Sequence, residues 1–418
     1  MAKKNLPHKI KICIVSKKFP IVGRAADHSY LWFLAKALTQ KGHDVSVIAN
    51  ISPQEKSFIE QDGVKVHYLN QQKINTEKNY QRMVREKFSE LHRKEKFDLI
   101  HSVDSSGAKV IANHKAYGVA TAIDVEATNV AQVFAILGMT QESLGSALST
   151  AFAVTYKFLR TYLGSDRSLL KKSHGVFVSS PQQRLVLERH YLYPDRRIFN
   201  VAYGIEMTDM ADRESIQSLK ESMQLPENGQ VIMNVTDMAE VQEVVHLLLA
   251  FESVILKKPN TRLILVGNGP KRKEIEFEVY RLALGNMVRF TGPIKNTEVP
   301  DYIALSDVYI TLSARSSGFE PSVLEAMSQK KLVIASEVSA LSSLIDDRKD
   351  GFLVRPADVE GISQLLMEML NQNLPVLEIG DSARRKVLSF FDPEKMLNDT
   401  INAYYEILKN SGLYRKRK

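Results

Sequence analysis

One cysteine in 418 residues leaves no partner for a disulfide and no ligand set for a zinc framework. That residue, Cys13, sits inside the apolar run at 10–15 (IKICIV), where a small buried side chain is expected rather than a nucleophile or a metal ligand. No stretch approaches the roughly 20 apolar residues a membrane-spanning helix needs. The start, MAKKNLPHKIK, is basic but lacks the apolar core of a secretory signal, so a cytoplasmic setting is expected. There is no low-complexity segment, and no internal repeat beyond two similar halves. Basic residues are not interleaved with aromatics, which argues against nucleic acid as a partner.

The residues present have ordinary globular proportions, 44% hydrophobic and 25% charged, enough for two sizeable cores. The net charge of +8 is partly gathered in the first hundred residues and in the tail YRKRK at 414–418. That tail suits an anionic membrane face, and it equally suits plain solvation.

Along the chain, apolar runs alternate with helical spacing. A strand at 10–15, a helix at 29–38 stopped by Gly42 and a strand at 44–50 open a doubly wound parallel sheet. A charged helix at 77–96 follows, then strands at 97–103 and 119–125 on either side of a helix. Residues 129–170 read as a long helical stretch with more than one apolar face, either buried in the domain or turned to a lipid acceptor or partner chain. The polar run 208–230 reads as an interdomain connection. A second alternation then runs from VIMNV to residue 336, with a closing helical segment at 379–410. The expected class is α/β, with two Rossmann-like doubly wound domains: residues 1–207 completed by 393–418, and residues 208–392.

The stretch at 311–336, TLSARSSGFEPSVLEAMSQKKLVIAS, is the most informative. A strand at 307–312 enters a Ser/Gly loop, a short helix spans 321–327, and a strand follows at 332–335. The first turn of such a helix has free N–H groups and partial positive charge, a seat for a phosphate. Glu325 lies one turn in, where a carboxylate can accept hydrogen bonds from ribose hydroxyls.

This stretch resembles the S-R-x-E-G-F-G-x-P-x-x-E-A-M signature of the family-four glycosyltransferases, matching at Ser313, Arg315, Gly318, Phe319, Glu325, Ala326 and Met327. LVGNGP (265–270) and VRFTGPI (288–294) also look like that family's second domain. The resemblance covers nearly the whole chain. It implies the GT-B fold, two domains facing across a cleft, with the acceptor on the first and the nucleotide sugar on the second.

The implied activity is hexosyl transfer with retention from a nucleotide-diphosphate sugar to a glycan, lipid or small molecule, with no cofactor and no metal. The implied donor-site residues are Gly23, Arg24, Gly267, Asn268, Gly269, Arg315, Gly318, Phe319 and Glu325, with Lys271 as a further cation. Glu126, Ser317 and Glu320 would stand near the reacting sugar.

The departures cluster at the same site. Ser317 replaces the family's first glutamate, and Pro321 has no N–H for a phosphate. Gly23 stands alone where the family has a glycine pair. Glu126, two residues after Asp124, stands where a histidine is usual, and Tyr203 replaces the asparagine before Gly204. Asp237 and Gln242 fall at the usual arginine and lysine, with Thr236 and Glu243 at the neighbouring glycines. A charge-assisted contact contributes about 1.5–3 kcal/mol, so two missing cations predict donor binding weaker by about 10²- to 10⁴-fold. An inactive pseudoglycosyltransferase, a binding or scaffold partner of an active transferase, therefore stands beside the transferase reading. A phosphorylase-like enzyme would need a pyridoxal-binding lysine motif, and none is evident.

Overall fold

The structure is a computed structural model that describes residues 4–19, 29–50, 56–70, 74, 76–125, 165–179, 181–204, 213–294, 298–313, 322–337, 344–355 and 357–415. It divides into two compact units. Unit one runs through Gly204 and is completed from Pro393 onward, and unit two ends at Asp392.

In unit one, a two-residue strand β1 (Lys4–Asn5) precedes β2 (Lys11–Ser16), β3 (Asp44–Ala49), β4 (Phe58–Gln61), β5 (Val64–Tyr68), β6 (Leu99–Val103), β7 (Ala120–Asp124), β8 (Gly175–Val178) and β9 (Ile198–Asn200). The main sheet has the order β4-β5-β3-β2-β6-β7-β8-β9, and β4 is its one antiparallel member. β6 and β7 are buried at every position, as strands covered on both faces must be. Their apolar runs are the reason they are legible as strands. Cys13 in β2 is fully buried, and burial pushes its thiol up.

Two local features depart from the sequence expectations. The single helix expected between β6 and β7 is three short pieces, Asp104–Gly107, Ala108–Ala112 and His114–Tyr117. Asp104 sits at φ 45°, and the Ser102 hydroxyl takes the Gly107 N–H at 2.8 Å, so local side-chain bonding competes with a continuous helix. Between β3 and the helix Glu77–Lys94, residues left unassigned by the sequence form the β4/β5 hairpin. Its turn is Asp62-Gly63, both at positive φ.

Unit two contains β10 (Val231–Val235), β11 (Arg262–Val266), β12 (Val288–Gly292), β13 (Val308–Thr311), β14 (Leu332–Ser336) and β15 (Phe352–Val354). They pair in parallel in the order β12-β11-β10-β13-β14-β15, so the winding reverses between β10 and β13. One face packs on the helix Val241–Ile255 and its neighbours, and the other packs on the helix Ser322–Ser328. The expected linker at 208–230 needs correction. Residues Arg213–Ser222 form a helix of unit two that packs on the helix Val299–Leu305, and Met223 and Leu225 close on the core around Met233 and Ile264. Its few apolar residues lie on one face, and the rest of the helix meets solvent, which is why the run reads as polar.

The helix Pro393–Asn410 returns to unit one. It buries Met396, Thr400, Ala403, Tyr404, Ile407 and Leu408, a helical stripe in which each fully buried aliphatic side chain contributes about 1.5–3 kcal/mol. Gly175 in β8 makes room for it, since a Cβ there would lie 2.5 Å from Ile407. Gly204 does the same for Pro393, at 2.4 Å from its Cα. Beyond the helix, β16 (Tyr414–Arg415) pairs in parallel with β1.

Candidate functional site

In open α/β sheets ligands bind beyond the carboxyl ends of the strands, where the winding reverses. In unit two that point lies between β10 and β13. The loop after β10 is held by its own side chains: Thr236 Oγ1 accepts from the Met238 N–H at 3.0 Å, and Asp237 Oδ1 accepts from the Ala239 N–H at 3.2 Å. Met238 is buried at φ 47°.

The loop after β11 lies directly on this turn. Gly267 has φ 126°, and a Cβ there would stand 2.0 Å from the Thr236 carbonyl oxygen. A Cβ on Gly269 would stand 1.7 Å from that of Asp237. Backbone bonds join the two loops, from Thr236 N–H to the Val266 carbonyl at 2.9 Å and from Lys271 N–H to the Met238 carbonyl at 3.0 Å. Gly267 and Gly269 thus serve the close approach of two backbones, with Asn268 exposed between them.

The helix Ser322–Ser328 carries Glu325 half-buried one turn in, with Oε2 shut off from solvent. Its far end is clamped. Arg384 donates to the Ser328 carbonyl at 2.5 Å, Gln329 Nε2 donates to that of Pro300 at 3.0 Å, and Gly380 packs on the Lys330 carbonyl.

Two of the described cations near these loops, Lys271 and Arg272, are engaged with neighbours. Lys271 Nζ pairs with Glu274 at 3.0 Å in solvent, and Arg272 pairs with Glu276 at 2.7 Å while lying over the Phe290 ring. Gln242 is exposed on the first turn of Val241–Ile255. The structure therefore brings Gly267, Asn268 and Gly269 to the β10/β11 loops and Glu325 to the helix beyond β13. Gly23, Arg24, Glu126, Arg315, Ser317, Gly318, Phe319 and Glu320 lie outside the described residues.

Unit one has a polar cluster of its own. β7 ends at Asp124, which is only 5% exposed. Tyr30 donates to Asp124 Oδ2, and His101 Nε2 lies 3.8 Å from the same oxygen. His101 Nδ1 meets the Tyr404 hydroxyl at 2.6 Å, and the Tyr30 ring stacks on Tyr203 with centroids 4.0 Å apart. Burial and then the Asp124 charge push the Tyr404 phenol well above its usual range. Sequence reading singled out Asp124 but missed His101, Tyr30 and Tyr404. The available signal was a histidine in the middle of the apolar strand LIHSV.

Comparison with known proteins matches both halves. Residues 28–208 match the profile described as Glycosyltransferase Family 4, and residues 215–386 that of Glycosyl transferases group 1. The chain is 25% identical over 255 residues to the N-acetyl-alpha-D-glucosaminyl L-malate synthase of Bacillus anthracis, covering 60% of this chain and 66% of that protein. The match thus spans just under two thirds of that relative's length. Among solved structures, the sucrose-phosphate synthase of Thermosynechococcus elongatus superposes with a TM-score of 0.75 at 19% identity, covering 95% of this chain and 98% of the other. An Anabaena protein solved in complex with UDP-glucose gives 0.70 at 16% identity, covering 94% and 99%. At these identities the structural likeness carries the fold, which is GT-B.

Proposed function

From the premise that this chain belongs to the family-four, group 1 glycosyltransferases, we propose that it transfers a sugar with retention from a nucleoside-diphosphate sugar to a hydroxyl of a glycan, lipid or small molecule. The observation that carries this reading is Glu325. It is a half-buried carboxylate on the helix Ser322–Ser328, which follows β13 at the reversal of the unit-two sheet. There it accepts hydrogen bonds from the ribose hydroxyls. The solved relative that holds UDP-glucose supports a nucleotide sugar as the donor class.

In the reaction the bond from the anomeric carbon to the diphosphate oxygen breaks with its electron pair left on the diphosphate, the acceptor oxygen bonds to that carbon on the same face, and the acceptor's hydroxyl proton passes to the departing phosphate oxygen. Negative charge gathers on the departing diphosphate, and its stabilisation is the main task of the site. Arg24 and Arg315 supply guanidinium groups for it, Gly318 and Phe319 supply backbone amides, and Ser317 donates one hydrogen bond near the sugar. Glu126 and Glu320 are the carboxylates assigned to the reacting sugar. The acceptor belongs to unit one. The basic tail at 414–418 suits a lipid acceptor in an anionic bilayer. No described helix is long and apolar enough to cross a membrane.

One observation favours the second reading, a nucleotide-free binding partner of an active transferase. At the position of the family arginine, the Asp237 carboxylate is engaged with its own turn, and Lys271 is paired with Glu274. Calorimetry against UDP, GDP, ADP and their common sugars separates the two. Micromolar binding of one nucleotide, lost in Glu325→Ala, upholds the transferase. Silence across the panel overturns it and leaves the partner reading.

A further inference from the structure

We propose that Tyr309 is a positioning residue for nucleotide recognition: through Ser322 its hydroxyl sets the start of the helix Ser322–Ser328, and with it the direction of Glu325. The inference rests on the donor reading above.

Tyr309 lies in β13, opposite Met233 of β10 and Val333 of β14, and is fully buried. A phenylalanine would fill the same space among these apolar neighbours. The phenol adds a buried O–H that must be hydrogen-bonded, and one partner is Ser322 Oγ at 2.6 Å. Ser322 is also fully buried and is the first residue of the helix. The bond therefore ties the strand before the signature loop to the helix after it.

From Ser322 to Glu325 is one helical turn, so a shift or roll at Ser322 reaches the carboxylate undamped. The far end of the helix is already held by Arg384, Gln329 and Gly380. At the near end Val323 and Leu324 pack in the core, but apolar packing is non-directional, whereas the Tyr309–Ser322 bond has a direction. A purely structural pair would be dispensable, because replacing both partners by apolar groups of the same shape is close to neutral for stability.

The test compares the nucleoside diphosphate that binds best among UDP, GDP and ADP with its 2′-deoxy form, by calorimetry. It uses the full chain, Tyr309→Phe, Ser322→Ala, the double variant and Ser322→Thr. Each single variant is expected to lower the preference for ribose over deoxyribose by about 3- to 10-fold, the double variant no further, and Ser322→Thr is expected to retain it. An unchanged preference in Tyr309→Phe and Ser322→Ala, with wild type still preferring ribose, overturns this proposal alone. Absence of nucleotide binding in the wild type overturns the donor reading and this proposal with it. If Tyr309→Phe fails to fold, the Ser322→Ala and Ser322→Thr pair decides the question.

Discussion

Unit one ends β7 on a carboxylate, backs it with the imidazole of His101 and the phenols of Tyr30 and Tyr404, and buries all four. Unit two finishes β10 and β11 with backbone, two glycines and short side-chain turns, and keeps one half-buried carboxylate on a clamped helix. The first design stores polarity in a low-dielectric core, where an unpaired group costs most. The second brings two chain segments so close that no side chain fits between them. Substitutions should therefore act by loss of hydrogen bonding in unit one and by steric collision in unit two.

The largest effect is expected from Gly269→Ala, whose methyl group meets the Asp237 carbonyl oxygen at 1.7 Å. The two loops must separate, and a urea melt is expected to show a loss of about 3 kcal/mol or more, confined to the unit-two transition. A loss below 1 kcal/mol would remove the steric half of the contrast. Next comes Asp124→Ala, which removes the carboxylate that accepts from the Tyr30 hydroxyl and faces His101 Nε2 across 3.8 Å. A cost of about 1–3 kcal/mol in the unit-one transition is expected, with His101→Phe/Asp124→Leu together costing less than the sum of the single changes.

Acid should sharpen the difference. Burial, then the charges of His114, Arg197 and Lys115, hold His174 down to about 4, and burial likewise lowers His67 to about 4. Both lie in unit one and stay neutral in the folded state, while the unfolded chain takes up the protons near 6.5. Their contribution is fully present above that value, is lost as pH falls from 6.5 toward 4, and changes no further below it. Thermal melts across this window should show unit one weakening, and His174→Gln should flatten the slope. The smallest effect is expected from Lys271→Ala. Its pair with Glu274 is exposed and screened by solvent, so stability should hardly change, and nucleotide affinity should change less than twofold. A tenfold loss of nucleotide binding would instead make Lys271 a phosphate ligand.

The strands of both sheets were legible because a parallel strand covered on both faces is a continuous apolar run, as in LILV, VYIT and LVIAS. The helix Arg213–Ser222 was not, because it buries only a narrow stripe and its composition is that of a linker. At the candidate site, the glycine loop and Glu325 stood out as motif positions. The engagement of Asp237 with Ala239 did not, since a side chain's direction leaves no periodic trace. Nor did the contact between His101 and Tyr404, which are 303 residues apart and meet only through the topology.

The return of the helix Pro393–Asn410 to unit one also orders events in time. Unit two is continuous from the 213–222 helix to Asp392, so it can finish folding as soon as it leaves the ribosome. Unit one, although synthesised earlier, must wait with the seats of Tyr404 and Ile407 empty until the stripe of Pro393–Asn410 emerges. The usual vectorial order, in which the earlier domain folds first, is reversed. From the completion of β9 until that helix emerges, the apolar face that receives Tyr404 and Ile407 stays uncovered.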